Sequence, residues 1–315
     1  MKPVHVLMAV AVAAIWGFNF VAIRWGLDSF PPILLACLRF SVAALPILVV
    51  PRPRVSLARF FAVGMAWFVA QFALLFIGMQ VGMPPGLASV IMQSQAFFTV
   101  LFAALVLGER PPPRHVAGMA VAACGVVAIG ATVTGQGSDM TWLGLALVMT
   151  ASACWAVGNI VMRGMGPVDF LPMIVWLSAV GPLPLLAISL LVEGPGTVGN
   201  SLVNWTWLAV LSTVFQGVGA TIAGYGMWSY LLRRYPASIV ASYSLLVPVF
   251  GILSSVLVFS ERFGALRLLG IALILVGLAV VALPVAAARA LTARVTRVRR
   301  ARPPRGRTWP RGPDG

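Results

Sequence analysis

Along almost the whole chain, apolar stretches of about 20 residues follow one another, separated by short polar or proline-containing breaks. Each stretch is long enough to cross a hydrocarbon core of about 30 Å as an α-helix. We therefore predict an all-α integral membrane protein with ten transmembrane helices. The predicted spans are residues 4–25, 30–50, 57–79, 85–107, 115–134, 141–162, 169–191, 205–231, 236–259 and 264–287.

The two halves of the chain carry the same residues at the same spacing. Pro84, Glu109, Arg110, Gly118 and Gly125 each have an identical residue 152 positions later, at Pro236, Glu261, Arg262, Gly270 and Gly277. A second match, WGFNFVAIR (16–24) against WAVGNIVMR (155–163), lies near the start of each half. We interpret residues 1–134 and 141–287 as two copies of a five-helix unit. Because five is odd, the second copy should enter the membrane from the opposite side, which predicts the inverted repeat of a carrier.

The distribution of basic residues predicts the orientation of the chain. With a cytoplasmic N-terminus, most Lys and Arg residues fall into cytoplasmic segments, whereas the outer loops hold only Arg262 and Arg267. The positive-inside rule therefore predicts that both termini are cytoplasmic. Residues 288–315 are rich in arginine and proline and have no apolar period, so we expect a basic, disordered cytoplasmic tail close to anionic lipid headgroups.

Composition argues against a soluble protein and against an enzyme. Of 315 residues, 60% are hydrophobic and 9% are charged, whereas a soluble domain carries roughly 25% charged residues. The net charge of +15 would suggest a nucleic-acid partner in a soluble protein, but here it reports topology, so we expect none. No span holds a carboxylate pair, no GxxxxGK[ST] loop occurs, and Cys37, Cys124 and Cys154 lie one per span. We predict no catalytic activity, metal site or cofactor.

Arg39 lies in the middle of the second span, between the apolar segments LLACL and FSVAAL. An arginine at the bilayer centre costs about 2.5–3.5 kcal/mol on insertion scales, so a lipid-facing position is disfavoured. Arg39 is a candidate counter-charge for a substrate carboxylate. The alternative is a structural hydrogen-bond hub to helix-end carbonyls on a neighbouring helix.

Three glutamines also lie deep within predicted spans. Gln71 is central in the third span, and Gln93 and Gln95 are central in the fourth. Residues two positions apart point about 200° apart on a helix, so Gln93 and Gln95 cannot share one face. We expect at least one of the three amides to contact the ligand, with the other roles left to bonds between helices.

A tryptophan and an asparagine recur in the first helix of each copy, as Trp16 with Asn19 and as Trp155 with Asn159. Placed across a pseudo-two-fold axis, these side chains would line a central cavity and suit a small zwitterion. Packing between helices with an asparagine bridge is the alternative. Tyr225, in the glycine-rich eighth span, is a further candidate cavity residue.

The repeated pairs Glu109–Arg110 and Glu261–Arg262 fall at opposite membrane faces, so we interpret them as gating or helix-capping residues. A plain ion pair at a helix end is the alternative, worth about 0–1 kcal/mol when exposed. No Asp, Glu or His lies in the core of a span. We therefore expect facilitated or exchange transport rather than proton antiport.

Together these motifs resemble the EamA family of the drug/metabolite transporter superfamily, which comprises ten-helix carriers with two five-helix repeats. The resemblance covers about residues 4–287. It is carried by WGFNFVAIRWGL, PPILLACLRF, AQFALLF, GMPPGLASVIMQSQAFFTVLF followed by GER, and LLVPVFGILSSVLVFSERF. The match as a whole is most similar to the branch that exports O-acetylserine and cysteine, and the GLAS…QAFFT segment is its most specific part. The resemblance implies efflux of amino acids and related metabolites across the bacterial inner membrane.

Our sequence-based hypothesis is a carrier that exports O-acetylserine, cysteine or a similar small amino-acid metabolite by rocking one lobe against the other. Its expected partners are this substrate and membrane lipids, and we expect a monomer. A cavity lined mainly by Trp, Phe and Met would favour an exporter of other metabolites or drugs, whereas Arg39 clustered with the glutamines favours a small zwitterion. A lipid flippase or scramblase is the alternative from another class.

Overall fold

The computed structural model describes residues 1–133, 140–166 and 168–282, apart from the side chains of residues 237 and 238. Within these residues it contains helices, turns and loops and no β-strand. The helices that matter here are α1 (Pro3–Leu27), α2 (Pro32–Leu48), α3 (Leu57–Gln80), α4 (Pro85–Leu107), α5 (Pro113–Gly130), α6 (Trp142–Arg163), α7 (Phe170–Val192), α8 (Trp207–Leu232), α9 (Ile239–Phe259) and α10 (Ala265–Ala282).

The predicted all-α membrane fold is confirmed. In the described part of the chain, nine of these helices are long and apolar enough to cross a membrane, and α2 is a shorter apolar helix. A short helix between α7 and α8, Pro195–Val203, was not predicted. The ten-span count stays a prediction because α2 falls short of membrane length. The predicted basic tail, 288–315, lies outside the described residues.

Local irregularities recur at matching places in the two predicted copies. A π-helical segment occupies Gly64–Ala70 in α3 and another occupies Phe215–Ala223 in α8. A 3-10 segment occupies Met92–Ser94 in α4 and another occupies Tyr243–Leu246 in α9. Isolated π-helical turns are uncommon and are frequent at functional sites. The two halves therefore share departures from α-helical geometry as well as sequence motifs.

The ends of α4 and α9 show the same correspondence. Gly108 ends α4 with φ 68° and Ser260 ends α9 with φ 55°, both in the left-handed region. Glycine adopts this conformation without steric cost, whereas a serine there is strained. The backbone turn before each Glu-Arg motif is therefore kept although the residue type differs between the copies.

Glycines join α5 to α10 in a reciprocal arrangement. A Cβ at Gly118 would lie 2.9 Å from the carbonyl oxygen of Gly277, and a Cβ at Gly125 would lie 2.6 Å from that of Gly270. Because the repeat relates Gly118 to Gly270 and Gly125 to Gly277, a two-fold axis would convert one contact into the other. This packing supports the predicted inverted relation between the copies, which stays a prediction.

The helices of the two predicted copies are interleaved. The first helix of each copy packs against the third and fourth helices of the other, so that α1 contacts α8 and α9 while α6 contacts α3 and α4. Equivalent helices also pair across the copies: α2 with α7, α4 with α9 and α5 with α10. A rocking motion must therefore separate mixed groups of helices rather than one whole copy from the other.

Candidate substrate-binding site

A small cavity lies near the middle of α2, α3, α6 and α8 and has room for about one water molecule. Its lining residues are Arg39, Phe40, Trp67, Phe68, Gln71, Phe72, Trp155, Thr221 and Tyr225. Both π-helical segments contribute to it, through Trp67 and Phe68 in α3 and through Thr221 in α8. Among the predicted substrate-binding residues, the structure brings Arg39, Gln71, Trp155 and Tyr225 together here.

Arg39 is buried at one wall of this cavity, with 3% of its surface exposed. Its Nη2 donates a hydrogen bond of 3.2 Å to Oγ1 of Thr221 in α8. Its Cζ lies 4.3 Å from the ring centroid of Phe72 and 5.3 Å from that of Phe40, so the cation faces aromatic rings. Within the described residues, Nε and Nη1 have no hydrogen-bond partner. The observed bond thus joins a side-chain hydroxyl rather than the helix-end carbonyls that a structural hub would use.

Gln71 brings a hydrogen-bond acceptor to the same cavity. Its side chain is 1% exposed, and among the residues that the structure describes its Oε1 has no donor. A buried carbonyl oxygen without a donor is costly, because it has lost its water without replacement. The cavity therefore holds unpaired donors on Arg39 and an unpaired acceptor on Gln71, a set that matches a carboxylate and an ammonium group.

Aromatic rings form the rest of the cavity wall. Trp67 donates from Nε1 to the carbonyl oxygen of Trp155 at 2.8 Å, and the two ring centroids are 5.6 Å apart. Tyr225 packs 5.1 Å from the ring of Trp16. Trp16 itself donates to the carbonyl oxygen of Ala220 at 2.9 Å and is not among the lining residues. It therefore supports Tyr225 from behind.

Asn159 and Gln95 lie away from the cavity and bond to each other. Nδ2 of Asn159 donates to Oε1 of Gln95 at 3.1 Å and to Oγ1 of Thr99 at 3.0 Å. These bonds join α6 to α4 about one turn beyond Trp155, toward the C-terminal end of α6. The expectation that Asn159 and Gln95 line the central cavity is therefore replaced by the alternative of an asparagine bridge between helices.

Gln93 and Asn19 also lie outside the cavity lining. Nε2 of Gln93 donates to the backbone oxygen of Ser244 at 3.2 Å and so joins α4 to α9. Gln93 and Gln95 thus serve opposite faces of α4, as their angular separation predicts. Asn19 is buried in α1, and its Oδ1 has no hydrogen-bond partner in the described chain.

Glu109 of the first Glu-Arg motif makes an ion pair with Arg163 of α6. Nη1 of Arg163, at the end of α6, lies 3.3 Å from both carboxylate oxygens of Glu109, which follows α4. Arg110 is exposed beside it. This ion pair spans two helices, and the interpretation of Glu109 and Arg110 as gating or helix-capping residues stays a prediction. Both partners are about half exposed, at 51% and 55%.

The second Glu-Arg motif has different surroundings. Glu261 is half-buried, and its Oε2 would lie 2.7 Å from a Cβ at Gly86 near the start of α4. Arg262 is exposed. Arg24, the counterpart of Arg163, pairs with Asp28 of its own copy at 2.7 Å. The two Glu-Arg motifs therefore have different contacts in the two halves of the chain.

Glu193 makes an interhelical contact that was not predicted from the sequence. At the end of α7, its carboxylate accepts hydrogen bonds from the backbone N–H of Ile33 at 2.6 Å and of Leu34 at 3.1 Å. Ser189 donates to the same carboxylate at 2.5 Å. A negative charge at the exposed N–H groups of a helix start is favourable. The sequence shows the proline start of α2 and the acid, but nothing in it shows that they meet.

Phe40, Trp67, Phe68, Phe72 and Thr221 are the lining residues that sequence reasoning did not single out. Aromatic residues in apolar spans are ordinarily packing residues, so they carried no distinguishing signal. Among the described residues, no group of three or more His, Cys, Asp or Glu side chains could hold a metal ion.

The chain is similar to known proteins over most of its length. The profile of the EamA-like transporter family matches residues 4–131 and 142–283, so the chain belongs to this family of membrane transporters. A solved crystal structure superposes with a TM-score of 0.56 at 19% identity, covering 94% of this chain and 99% of that one. At that identity the superposition shows a shared fold.

Two relatives carry names that describe a cargo. The chain is 40% identical over 275 residues to a protein of Escherichia coli (strain K12) named a probable amino-acid metabolite efflux pump, covering 85% of this chain and 91% of that protein. It is 30% identical over 258 residues to a protein of Streptantibioticus cattleyicolor named a probable terminal-alkyne amino-acid exporter, covering 79% and 82%.

Proposed function

We propose that the protein exports small amino-acid metabolites across the bacterial inner membrane, with both termini in the cytoplasm. The names of the two relatives support this cargo class, and the resemblance of the GLAS…QAFFT segment makes O-acetylserine and cysteine the first substrates to test. The observation that carries the proposal is the buried Arg39, whose Nε and Nη1 are without a partner among the described residues.

The cavity chemistry suits an amino acid. A substrate carboxylate would accept charge-assisted hydrogen bonds from Arg39, which are shorter and stronger than neutral ones. The ammonium group would donate to Oε1 of Gln71, the unpaired acceptor in the same cavity. The cavity has room for about one water molecule, so its aromatic walls would have to move apart to admit a substrate.

Alternating access would proceed by breaking polar contacts at one end at a time. Asn159 and Arg163 follow Trp155 at successive turns of α6 and bond to Gln95 and Glu109 of the α4 segment. These bonds close the end of the cavity that the predicted orientation places in the cytoplasm. Entry of substrate requires α4 and α6 to separate there, so we assign the gating role to Glu109 with Arg163.

The end that the predicted orientation places outside the cell has its own closing contact. Glu193 ties the end of α7 to the start of α2, the helix that carries Arg39. Release of substrate would loosen this contact or move the two helices together. With both ends tied, the structure corresponds to a closed state.

Export of other metabolites or drugs is the second candidate, because one observation favours it. Six of the nine lining residues are aromatic, namely Phe40, Trp67, Phe68, Phe72, Trp155 and Tyr225, and of the three glutamines only Gln71 joins Arg39. An aromatic wall also suits a planar apolar compound. The buried positive charge disfavours organic cations, so a drug-like cargo would be neutral or anionic.

Counterflow into proteoliposomes tests the proposal. Vesicles loaded with unlabelled O-acetylserine should accumulate labelled O-acetylserine or cysteine without an imposed proton gradient, and the methyl ester of the same amino acid should compete poorly. Arg39→Gln should abolish the accumulation while the protein remains folded, whereas Arg24→Gln, which alters an exposed arginine paired with Asp28, should leave it intact.

Four other results would contradict the proposal or one part of it. Equal competition by the ester and the free acid would exclude a carboxylate-binding role for Arg39. Transport of neutral aromatic drugs without amino acids would favour the second candidate, and movement of fluorescent phospholipids between leaflets would favour a flippase. Accumulation that requires a proton gradient would contradict exchange transport.

A further inference from the structure

The hydroxyl group of Thr221 lies between Arg39 and the backbone of α8. Thr221 is buried, with 1% of its surface exposed. Oγ1 accepts the hydrogen bond from Nη2 of Arg39 at 3.2 Å and lies 2.9 Å from the carbonyl oxygen of Gln216, to which it donates. Because a hydroxyl has one proton, the bond to Gln216 leaves only lone pairs to face Arg39. The orientation of this hydroxyl is therefore fixed from the backbone side.

The π-helical segment makes this arrangement possible. In a regular helix a threonine hydroxyl bonds to the carbonyl three or four residues earlier, and Thr213 of α8 does so with Ala209 at 2.8 Å. Thr221 instead reaches the carbonyl five residues earlier, which the wider turn of Phe215–Ala223 brings into range. The irregular backbone thus gives Thr221 a position that a regular helix would not.

A close helix contact sets the distance between the two partners. A Cβ at Gly217 would lie 2.9 Å from the backbone oxygen of Arg39 and 2.7 Å from the side chain of Val42. Only glycine allows α8 to approach α2 this closely. One turn later, Thr221 meets the guanidinium group. Arg39 is thus held at its backbone by the close approach of Gly217 and at its guanidinium group by the hydroxyl of Thr221.

We propose that Thr221 is a positioning residue, which orients the guanidinium group of Arg39 and thereby sets the preference for carboxylate substrates. This inference rests on the proposed function. One corner of the planar guanidinium is held by Thr221 and one face lies on Phe72. With these two constraints the directions of the remaining N–H groups are set, and they are the donors left for a substrate.

The test uses three variants in the counterflow assay. Thr221→Val keeps the shape of the side chain and removes the hydroxyl, Thr221→Ser keeps the hydroxyl, and Thr213→Val removes a buried hydroxyl of the same helix that does not touch Arg39. KM and maximal rate are measured for the amino acid and for its carboxamide, which lacks the negative charge.

We expect Thr221→Val to raise KM for the amino acid about tenfold, the loss typical of one hydrogen bond. The maximal rate should stay within about twofold of wild type, and KM for the carboxamide should not change, so discrimination between the two falls. Thr221→Ser should restore discrimination, and Thr213→Val should preserve it. If Thr221→Val does not fold, Thr221→Ala provides the same comparison.

Two outcomes would overturn the positioning role while the proposed function stands. The first is that wild type transports the amino acid and Thr221→Val still discriminates between the amino acid and its carboxamide as well as wild type does. The other is an equal loss for the amino acid and the carboxamide, which indicates a structural role. If folded wild-type protein carries no amino acid at all, the proposed function fails and the positioning role fails with it.

Discussion

Gly125 and Gly270 lie backbone to backbone where α5 crosses α10, so that a Cβ on Gly125 would come within 2.6 Å of the Gly270 carbonyl oxygen. The equivalent contact joins Gly118 to Gly277. Small residues let helix backbones approach closely in a membrane, where apolar side chains gain little by leaving lipid. Repetition of the glycines in both copies is therefore explained by one helix crossing to which both contribute.

Replacing Gly125 by valine should destabilise the protein, because an added Cβ would lie 2.6 Å from the carbonyl oxygen of Gly270 and 3.0 Å from the backbone nitrogen of Ile274, which cannot rotate away. Overpacking of this kind costs roughly 1–3 kcal/mol. Thermal unfolding in detergent should show a lower melting temperature. Gly199→Ala is the matched control, since no atom lies within 4 Å of its added Cβ. Equal melting temperatures for both variants would contradict the close crossing.

Gln71→Met should separate stability from function. The change keeps the approximate volume and removes a buried acceptor that has no donor among the described residues, so the free energy of unfolding should stay constant or rise by about 1 kcal/mol. KM for the amino acid should rise severalfold, because the ammonium group loses its acceptor. Unfolding curves and counterflow measure the two effects. A less stable variant with normal KM would show a structural role for Gln71.

Glu193→Ala should destabilise the end of the molecule where α7 meets α2. It removes the acceptor for the N–H groups of Ile33 and Leu34, and loss of a capping side chain costs about 0.5–2 kcal/mol. Glu193→Gln should lose less, because one oxygen remains. Glu109→Gln is a suitable control, since its half-exposed ion pair should contribute at most about 1 kcal/mol. An unchanged melting temperature in Glu193→Ala would argue against the cap.

Asn159→Ala should open the end of the cavity near the C-terminus of α6. Thr99→Cys serves as the reporter, in a background lacking Cys37, Cys124 and Cys154, because Thr99 lies within the α4–α6 contact. A membrane-impermeant thiol reagent should label it severalfold faster when Asn159 is replaced, since the bond that holds the two helices is lost.

The side of labelling also tests the orientation. Faster reaction is expected in inside-out vesicles and not in right-side-out vesicles, because the predicted topology places this end in the cytoplasm. Arg24→Gln, at the other end of the molecule, should change neither rate. Faster labelling from the outside would reverse the assignment of the gate.

Much of the fold was readable from the sequence, whereas about half of the candidate site was not. Continuous apolar stretches determine helices because an unpaired backbone is not tolerated in lipid, and the predicted spans agree with α1–α10 to within a few residues at most ends. The burial of Arg39 was expected for the same reason. The sequence did not show whether Asn159 and Gln95 line the cavity or bond to each other, because either position satisfies the hydrogen-bonding groups of an amide.

The sequence by itself determined the helical membrane fold and the presence of a buried charge, because both follow from the cost of placing polar groups in hydrocarbon. It also predicts the duplication, from the matched spacing of residues in the two halves. Only the tertiary structure decided which polar groups face one another. Helices that are apolar on every side carry little periodicity to show their rotation, and the π-helical segments shift it further. Arg39 bonds to Thr221, and Glu109 pairs with Arg163. Both contacts depend on how helices from distant parts of the chain pack together.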